Sequence, residues 1–253
     1  MFRPRVIPVL LLKNKGLVKT VKFGKSRYIG DPINAVRIFN DLQADELVFL
    51  DITATNENRT VSPELVRNIG DEAFMPFAVG GGIRSLSDAK ELLSSGAEKI
   101  VLNTAAVRNP GLIKEIAETY GNQSVIVCID VKKRSFGKYK VYINSGKKRV
   151  TVSPVEHAKN MASLGAGEIM INSVSNDGMM TGYDLDLIKT IAGAVGIPVI
   201  ACGGARNTED LVKAVNIGGA GAAAAGSLFV YHGPRRGVLV NYPERKTLEA
   251  IFN

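Results

Sequence analysis

The chain has no tryptophan, only two cysteines and two histidines among its 253 residues, and no long apolar run. Each shortage excludes something. Cys128 and Cys202 both sit inside apolar runs. They cannot make a disulfide framework and read as core thiols, which suits the cytoplasm. His157 and His232 have no metal-ligand partner at useful spacing, so no metal and no cofactor is expected. No stretch reaches about 18 uninterrupted apolar residues, so no membrane helix is expected. Met-Phe-Arg-Pro-Arg runs straight into a short apolar strand, without the apolar core and cleavage site of a secretion signal.

Acid is missing locally. Leu12 to Gly30 holds Lys13, Lys15, Lys19, Lys22, Lys25 and Arg27 without one carboxylate. Val131 to Val150 holds Lys132, Lys133, Arg134, Lys138, Lys140, Lys147, Lys148 and Arg149, again without acid. The net charge is +8. A basic balance suits nucleic acid or anionic small molecules. No RNA- or DNA-binding motif appears, and both basic stretches read as loops following apolar strands. The second is expected to contain a β-hairpin, because YKVYI and KRVTV flank the turn-like Asn144-Ser145-Gly146.

What is present is alternation. Strands are read near Val6–Leu11, Glu46–Asp51, Pro76–Val79, Lys99–Asn103, Ser124–Asp130, Glu168–Asn172, Pro198–Cys202 and Ala222–Ala225. They are continuous apolar runs, the mark of parallel strands covered on both faces. Helix starts are signalled by Asp31-Pro32, Ser62-Pro63, Asn109-Pro110 and Ser153-Pro154, where a capping side chain precedes proline, and by Ser85 with Asp88 and Asn207 with Asp210. Eight such alternations leave an open sheet or a closed barrel.

An internal repeat chooses closure. MPFAVGGGIRSLSDAKELLSSGAEKIVLNTAA and IPVIACGGARNTEDLVKAVNIGGAGAAAAGSLF share proline, strand, Gly-Gly, Arg, Asp, helix and final strand. The same spacing joins Gly81 with Gly203, Gly82 with Gly204, Arg84 with Arg206, Asp88 with Asp210 and Glu46 with Glu168. The expectation is one single-domain α/β protein, a (β/α)8 TIM barrel made of two duplicated half-barrels, about 1–122 and 123–253.

Each half then has a candidate anion cradle at the C-terminal mouth. The first has Gly81, Gly82, Asn103 and Thr104; the second has Gly203, Gly204, Gly226 and Ser227. Glycine lets backbone N–H groups approach a phosphate, and the following helix offers its positive end. The plain alternative is that these glycines only make tight turns.

From Arg5 to about Phe229 the chain resembles the cyclase subunit of imidazole glycerol phosphate synthase, the HisF family. The motifs are DELVFLDITA, VGGGIRS, LNTAAVRNP, GNQSVIVCID, LGAGEI, NDG, GYDLDL and IPVIACGGA. The resemblance implies a small-molecule bisphosphate substrate and a HisH-like glutaminase partner that delivers ammonia through the barrel. One phosphate would meet Gly82, Asn103 and Thr104; the other would meet Asp177, Gly178, Gly204, Gly226 and Ser227. Lys19 would belong to a loop over the mouth. Arg5, Glu46, Lys99 and Glu168, at strand starts, match the family's ammonia gate, with Glu98 and Gln123 nearby. Their plain reading is a stabilising charge ring.

The family works with two aspartates. Asp130 matches one, Asp51 ends the second strand as a further carboxylate, and the other catalytic position holds Leu11. Leucine cannot transfer a proton. Leu11 and the tail VYHGPRRGVLVNYP together resemble a divergent branch, WbuZ/AglZ-like, that accompanies acetamidino modification of bacterial surface sugars such as lipopolysaccharide. That resemblance implies a sugar amidotransferase as a further partner. The competing expectations are an ordinary cyclase of histidine biosynthesis and a phosphate-binding scaffold without chemistry.

Overall fold

The computed structural model describes residues 3–134 and 137–252. In chain order, β1 (Arg5–Lys13) runs into an arm, β2 (Gly16–Lys19) and β3 (Arg27–Gly30), before α1 (Pro32–Asp41). Then come β4 (Leu47–Asp51), α2 (Pro63–Glu72), β5 (Phe77–Gly80), α3 (Leu86–Ser94), β6 (Lys99–Leu102), α4 (Thr104–Arg108) and α5 (Gly111–Tyr120). After β7 (Val125–Lys133), a hairpin of β8 (Tyr139–Ile143) and β9 (Lys148–Arg149) precedes α6 (Pro154–Ser163). The chain continues through β10 (Glu168–Ser173), α7 (Leu185–Ala192), β11 (Val199–Cys202), α8 (Thr208–Asn216), β12 (Ala222–Ala225) and α9 (Ser227–Val230). It ends with β13 (Tyr231–His232), β14 (Gly237–Val238) and α10 (Arg245–Phe252).

Eight strands, β1, β4, β5, β6, β7, β10, β11 and β12, pair in parallel, and the β7–β10 pairing closes the ring. The protein is a (β/α)8 barrel. Side chains alternate inward and outward along each strand. Outward residues such as Leu10, Phe49, Leu102 and Ile169 join the helices in one apolar layer. Inward residues such as Ile7, Val48, Ala78, Ile126, Met170 and Ala224 form a separate cluster inside the barrel. Cys128 and Cys202 belong to this inner cluster as buried free thiols, so they are core residues as expected.

Most helix starts follow their sequence signals. Asp31, Ser62, Ser85, Ser153 and Asn207 each accept from the backbone N–H three residues on, and Ser85 and Ser153 complete capping boxes with Asp88 and Glu156. Asn109-Pro110 differs. Asn109 closes α4, and α5 starts after Pro110 without a side-chain cap. Pro110, already in the helical region at φ −58° and ψ −30°, takes the cap position of α5, so the asparagine falls one residue too early to cap it.

The basic stretch around Lys19 is also not a plain loop. Leu11 and Leu12, still paired with β4 on one side, and Lys13 pair antiparallel with β2 on the other, where β12 has ended. Lys19 therefore lies in a strand, buried, with Nζ donating to the Val9 carbonyl at 2.7 Å. The second basic stretch does contain the expected hairpin, with Tyr142 opposite Arg149 and Ile143 opposite Lys148.

Candidate functional site

Strands β5 and β11 end in equivalent glycine turns. Gly81, Gly82, Gly203 and Gly204 all have positive φ, at +129°, +71°, +88° and +116°. A Cβ on Gly82 would lie 1.8 Å from the Arg59 carbonyl oxygen, and one on Gly204 would lie 2.2 Å from that of Gly182. Close backbone approach thus already requires glycine at both turns, as the tight-turn reading holds. What favours an anion here is the set of free donors. Among the described residues, the N–H groups of Gly82 and Gly204 have no acceptor. Helices α4 and α9 begin beside them at Thr104 and Ser227 with no side-chain cap, leaving first-turn N–H groups open to an anion.

The two halves match in further detail. Arg84 N–H donates to Asp88 at 2.8 Å, and Arg206 N–H donates to Asp210 at 3.0 Å. Leu11 is in register with Leu50, and Asp130 with Asn172. Leu50 and Asn172 are related by the same shift as Gly82 and Gly204, so Leu11 and Asp130 occupy equivalent strand positions. Leu11 and Leu50 pack onto the inner cluster.

A cavity of about 350 Å³ fills the mouth. Leu11, Lys19, Asp51, Gly81, Gly82, Asn103 and Thr104 line it. So do Asp130, Asp177, Gly178, Gly203, Gly204, Gly226 and Ser227. Every residue expected at the mouth is therefore brought to one hollow.

The carboxylates differ in their surroundings. Asp51 is committed to its own turn: it accepts from the N–H groups of Thr53 and Ala54 and pairs with Arg59 at 2.6 Å. Asp130 is 6% exposed and has no salt bridge among the described residues. Asn172 Nδ2 donates to its Oδ1 at 3.1 Å, and Asn103 Nδ2 to its Oδ2 at 3.2 Å. Burial pushes its carboxyl from 3.8 up to about 7, against the lowering effect of Asn172. Asp177 is also raised by burial, opposed by Lys19 and the Thr20 hydroxyl. Burial pulls the Lys19 ammonium down to about 8, opposed by Asp177. The mouth thus holds one carboxyl poised near neutrality and one lysine whose ammonium is less basic than an ordinary one. Both thiols are pushed up by burial, Cys202 to about 12, which argues against a nucleophile.

At the other end, the four expected charges form a ring. Arg5 pairs with both Glu46 and Glu168. Lys99 Nζ lies 3.1 Å from Glu46 and 3.4 Å from Glu168. Burial lowers the Arg5 pKa, but the two glutamates outweigh it and the net shift is upward. Glu98 accepts from the Phe77 N–H at 2.8 Å, while the Gln123 amide donates to Tyr120 in its own turn.

Residues 5–234 match the family model described as "Histidine biosynthesis protein". The chain belongs to that family. Among its relatives, a Leptospira interrogans protein is 45% identical over 253 residues, covering 100% of both chains, and is provisionally named imidazole glycerol phosphate synthase subunit HisF. A Pseudomonas aeruginosa protein, provisionally named subunit hisF2 of the same synthase, is 46% identical over 98% of this chain and 99% of its own. The subunit named HisF without qualification from Alkaliphilus metalliredigens is 43% identical over 92% of each chain.

Two family-barrel residues escape a sequence reading. Asn172 is visible only as a strand-end amide, and its contact with Asp130 spans 42 positions. Arg236 lies in the tail, yet its guanidinium reaches the Gly178 carbonyl. Neither contact has a local signal; the half-repeat would have pointed to Asn172 as the counterpart of Leu50.

Proposed function

We propose that this chain is a barrel subunit of the imidazole glycerol phosphate synthase type whose mouth binds a bisphosphorylated small molecule and whose opposite end takes ammonia from a HisH-like glutaminase. In this reading ring closure has been lost or reduced, and the ammonia serves amidination of a bacterial surface sugar through a separate sugar amidotransferase. The two uncapped cradles, on opposite halves of one mouth, support the bisphosphate. The full-length likeness to named synthase subunits supports the reaction type. The charge ring at the strand starts supports the gate, and Phe74, 87% exposed before the start of β5 at that same end, supports a docking face there. The matching symmetry of the halves supports their origin by duplication.

The observation that carries the departure is Leu11. Closing an imidazole ring needs proton transfer at separated atoms, hence groups on both sides of the mouth. Asp130, oriented by two amides and poised near neutrality, is suited to one of those tasks. The strand position equivalent to it holds an aliphatic side chain. An ordinary cyclase is favoured by one observation: Asp177, also raised and also lining the mouth, would then be the second group.

Cyclase turnover with ammonium as nitrogen source separates the two. Loss of one acid–base group predicts a rate at least about a hundredfold below that of a relative with aspartate at this position. Leu11→Asp recovers part of it. A parent rate within a few fold of such a relative rules out the departure.

A further inference from the structure

The loop after β10 carries Asp177 and Gly178 to the mouth, and it is an awkward piece of backbone. Gly178, Met180 and Gly182 have φ of +69°, +57° and +99°. A left-handed conformation is costly for a side chain such as that of Met180 unless its surroundings impose it. Three contacts pin this loop from one side. Lys22 N–H donates to the Asp177 carbonyl at 2.9 Å, Gly182 N–H donates to the Gly204 carbonyl at 2.9 Å, and Asn176 Nδ2 donates to the Gly182 carbonyl at 2.9 Å. The middle of the loop is held by the tail. Arg236 Nη1 donates to the Gly178 carbonyl at 3.1 Å and Nη2 to the Met179 carbonyl at 3.3 Å.

Arg236 is placed for this by a hairpin of its own. Tyr231 pairs with Val238 and His232 with Gly237, and Arg236 occupies the turn with a φ of +50°. Leu239 N–H then ties the returning strand to the carbonyl of Val230, the last residue of the short helix that opens at Ser227. The hairpin is thus anchored to the far end of α9, whose start lines the second cradle, while its arginine grips the loop that lines the same cradle.

A planar trans peptide points its carbonyl and N–H in opposite directions. A guanidinium fork that draws the Gly178 and Met179 carbonyls one way therefore turns the N–H groups of Met179 and Met180 the other way. Met179 N–H is used within the loop, donating to Asn176 at 3.0 Å. The Met180 N–H has no acceptor among the described residues; nor has the Gly178 N–H, whose peptide is set by the Lys22 contact to the Asp177 carbonyl, and both residues line the mouth. We propose that Arg236 is a positioning residue: from the C-terminal hairpin it fixes the middle of loop 174–184 so that the Met180 N–H stands ready, beside the Gly178 N–H and with Gly204 and Ser227, for one phosphate of the substrate. This deepens the bisphosphate reading above and rests on it. It assigns the tail hairpin a task in the second cradle.

Amide resonances of isotope-labelled protein, titrated with inorganic phosphate, report the two cradles separately. In the parent, Gly82 and Thr104 follow one cradle and Gly178 and Gly204 the other. Arg236→Ala weakens phosphate at Gly178 and Gly204 by about tenfold, on the scale of one lost charge-assisted hydrogen bond, and leaves Gly82 and Thr104 unchanged. Arg236→Lys, which keeps the charge without the planar fork, recovers part of the loss. A merely structural role would move both cradles or neither. Equal titration of Gly178 and Gly204 in parent and Arg236→Ala overturns the inference while leaving the bisphosphate reading intact. Absence of any response in the parent at either cradle overturns both.

Discussion

Asp130 sits between two side-chain amides with its carboxyl raised to about 7 by burial. In an unfolded chain the same group titrates near about 3.9. The fold therefore prefers the protonated form. Its contribution to stability is complete below the unfolded value and is lost as pH rises through about 7. Asp130→Asn removes this titration, so in thermal unfolding the variant gains on the parent as pH rises between those two values. A gap that stays constant over that window would show that the carboxyl is not desolvated. At this scale the sequence was half readable. Asp130 was legible because it follows the apolar run VIVCI in a known motif, although β7 continues past it to Lys133. Its amide partners were not, since Asn172 and Asn103 reach it across 42 and 27 positions. Lys19 was legible as a mouth residue but not as a strand residue, because β2 pairs with the edge of β1 that β12 leaves free.

The glycine turns show how one element can answer to two demands. Sequence pattern alone leaves phosphate approach and tight turning indistinguishable, and the structure shows that backbone contact already forbids a side chain at Gly82. Gly82→Ala is expected to cost at least about 2 kcal/mol, combining left-handed strain with displacement of the Arg59 carbonyl. Gly233, at φ +68° with nothing within 4 Å of a built Cβ, isolates the strain alone. Gly233→Ala should cost only about 1 kcal/mol. Denaturant unfolding of the two variants checks the difference, and equal costs would mean that the Arg59 contact yields freely. The barrel strands themselves were legible to within a few residues, since buried parallel strands leave unbroken apolar runs. The arm of β2 and β3 was not, because its partners are the end of β1 and each other, with no apolar period to mark them.

At the scale of the whole molecule, the ring of Arg5, Glu46, Lys99 and Glu168 links four strands drawn from both halves. Glu46 is 2% exposed, so it depends on its cations. Arg5→Ala should destabilise the barrel by about 2 kcal/mol, less than for a fully enclosed pair because the arginine is partly in solvent. Chemical denaturation measures this; a change below about 0.5 kcal/mol would place the ring among surface pairs that contribute little. Closure of the barrel was legible from the half-repeat, and the register that sets Leu11 equivalent to Asp130 now gives that repeat a chemical meaning. In the proposed reading, the charged end is an ammonia gate, and Leu11 at the other end is an unreactive side chain at a position that ring closure would need for proton transfer. The most direct measurement is growth of a histidine auxotroph that lacks its cyclase subunit, expressing this chain as folded protein. The account predicts no growth without histidine. Growth at the normal rate would contradict it and would assign the missing proton transfer to Asp177 or Asp51.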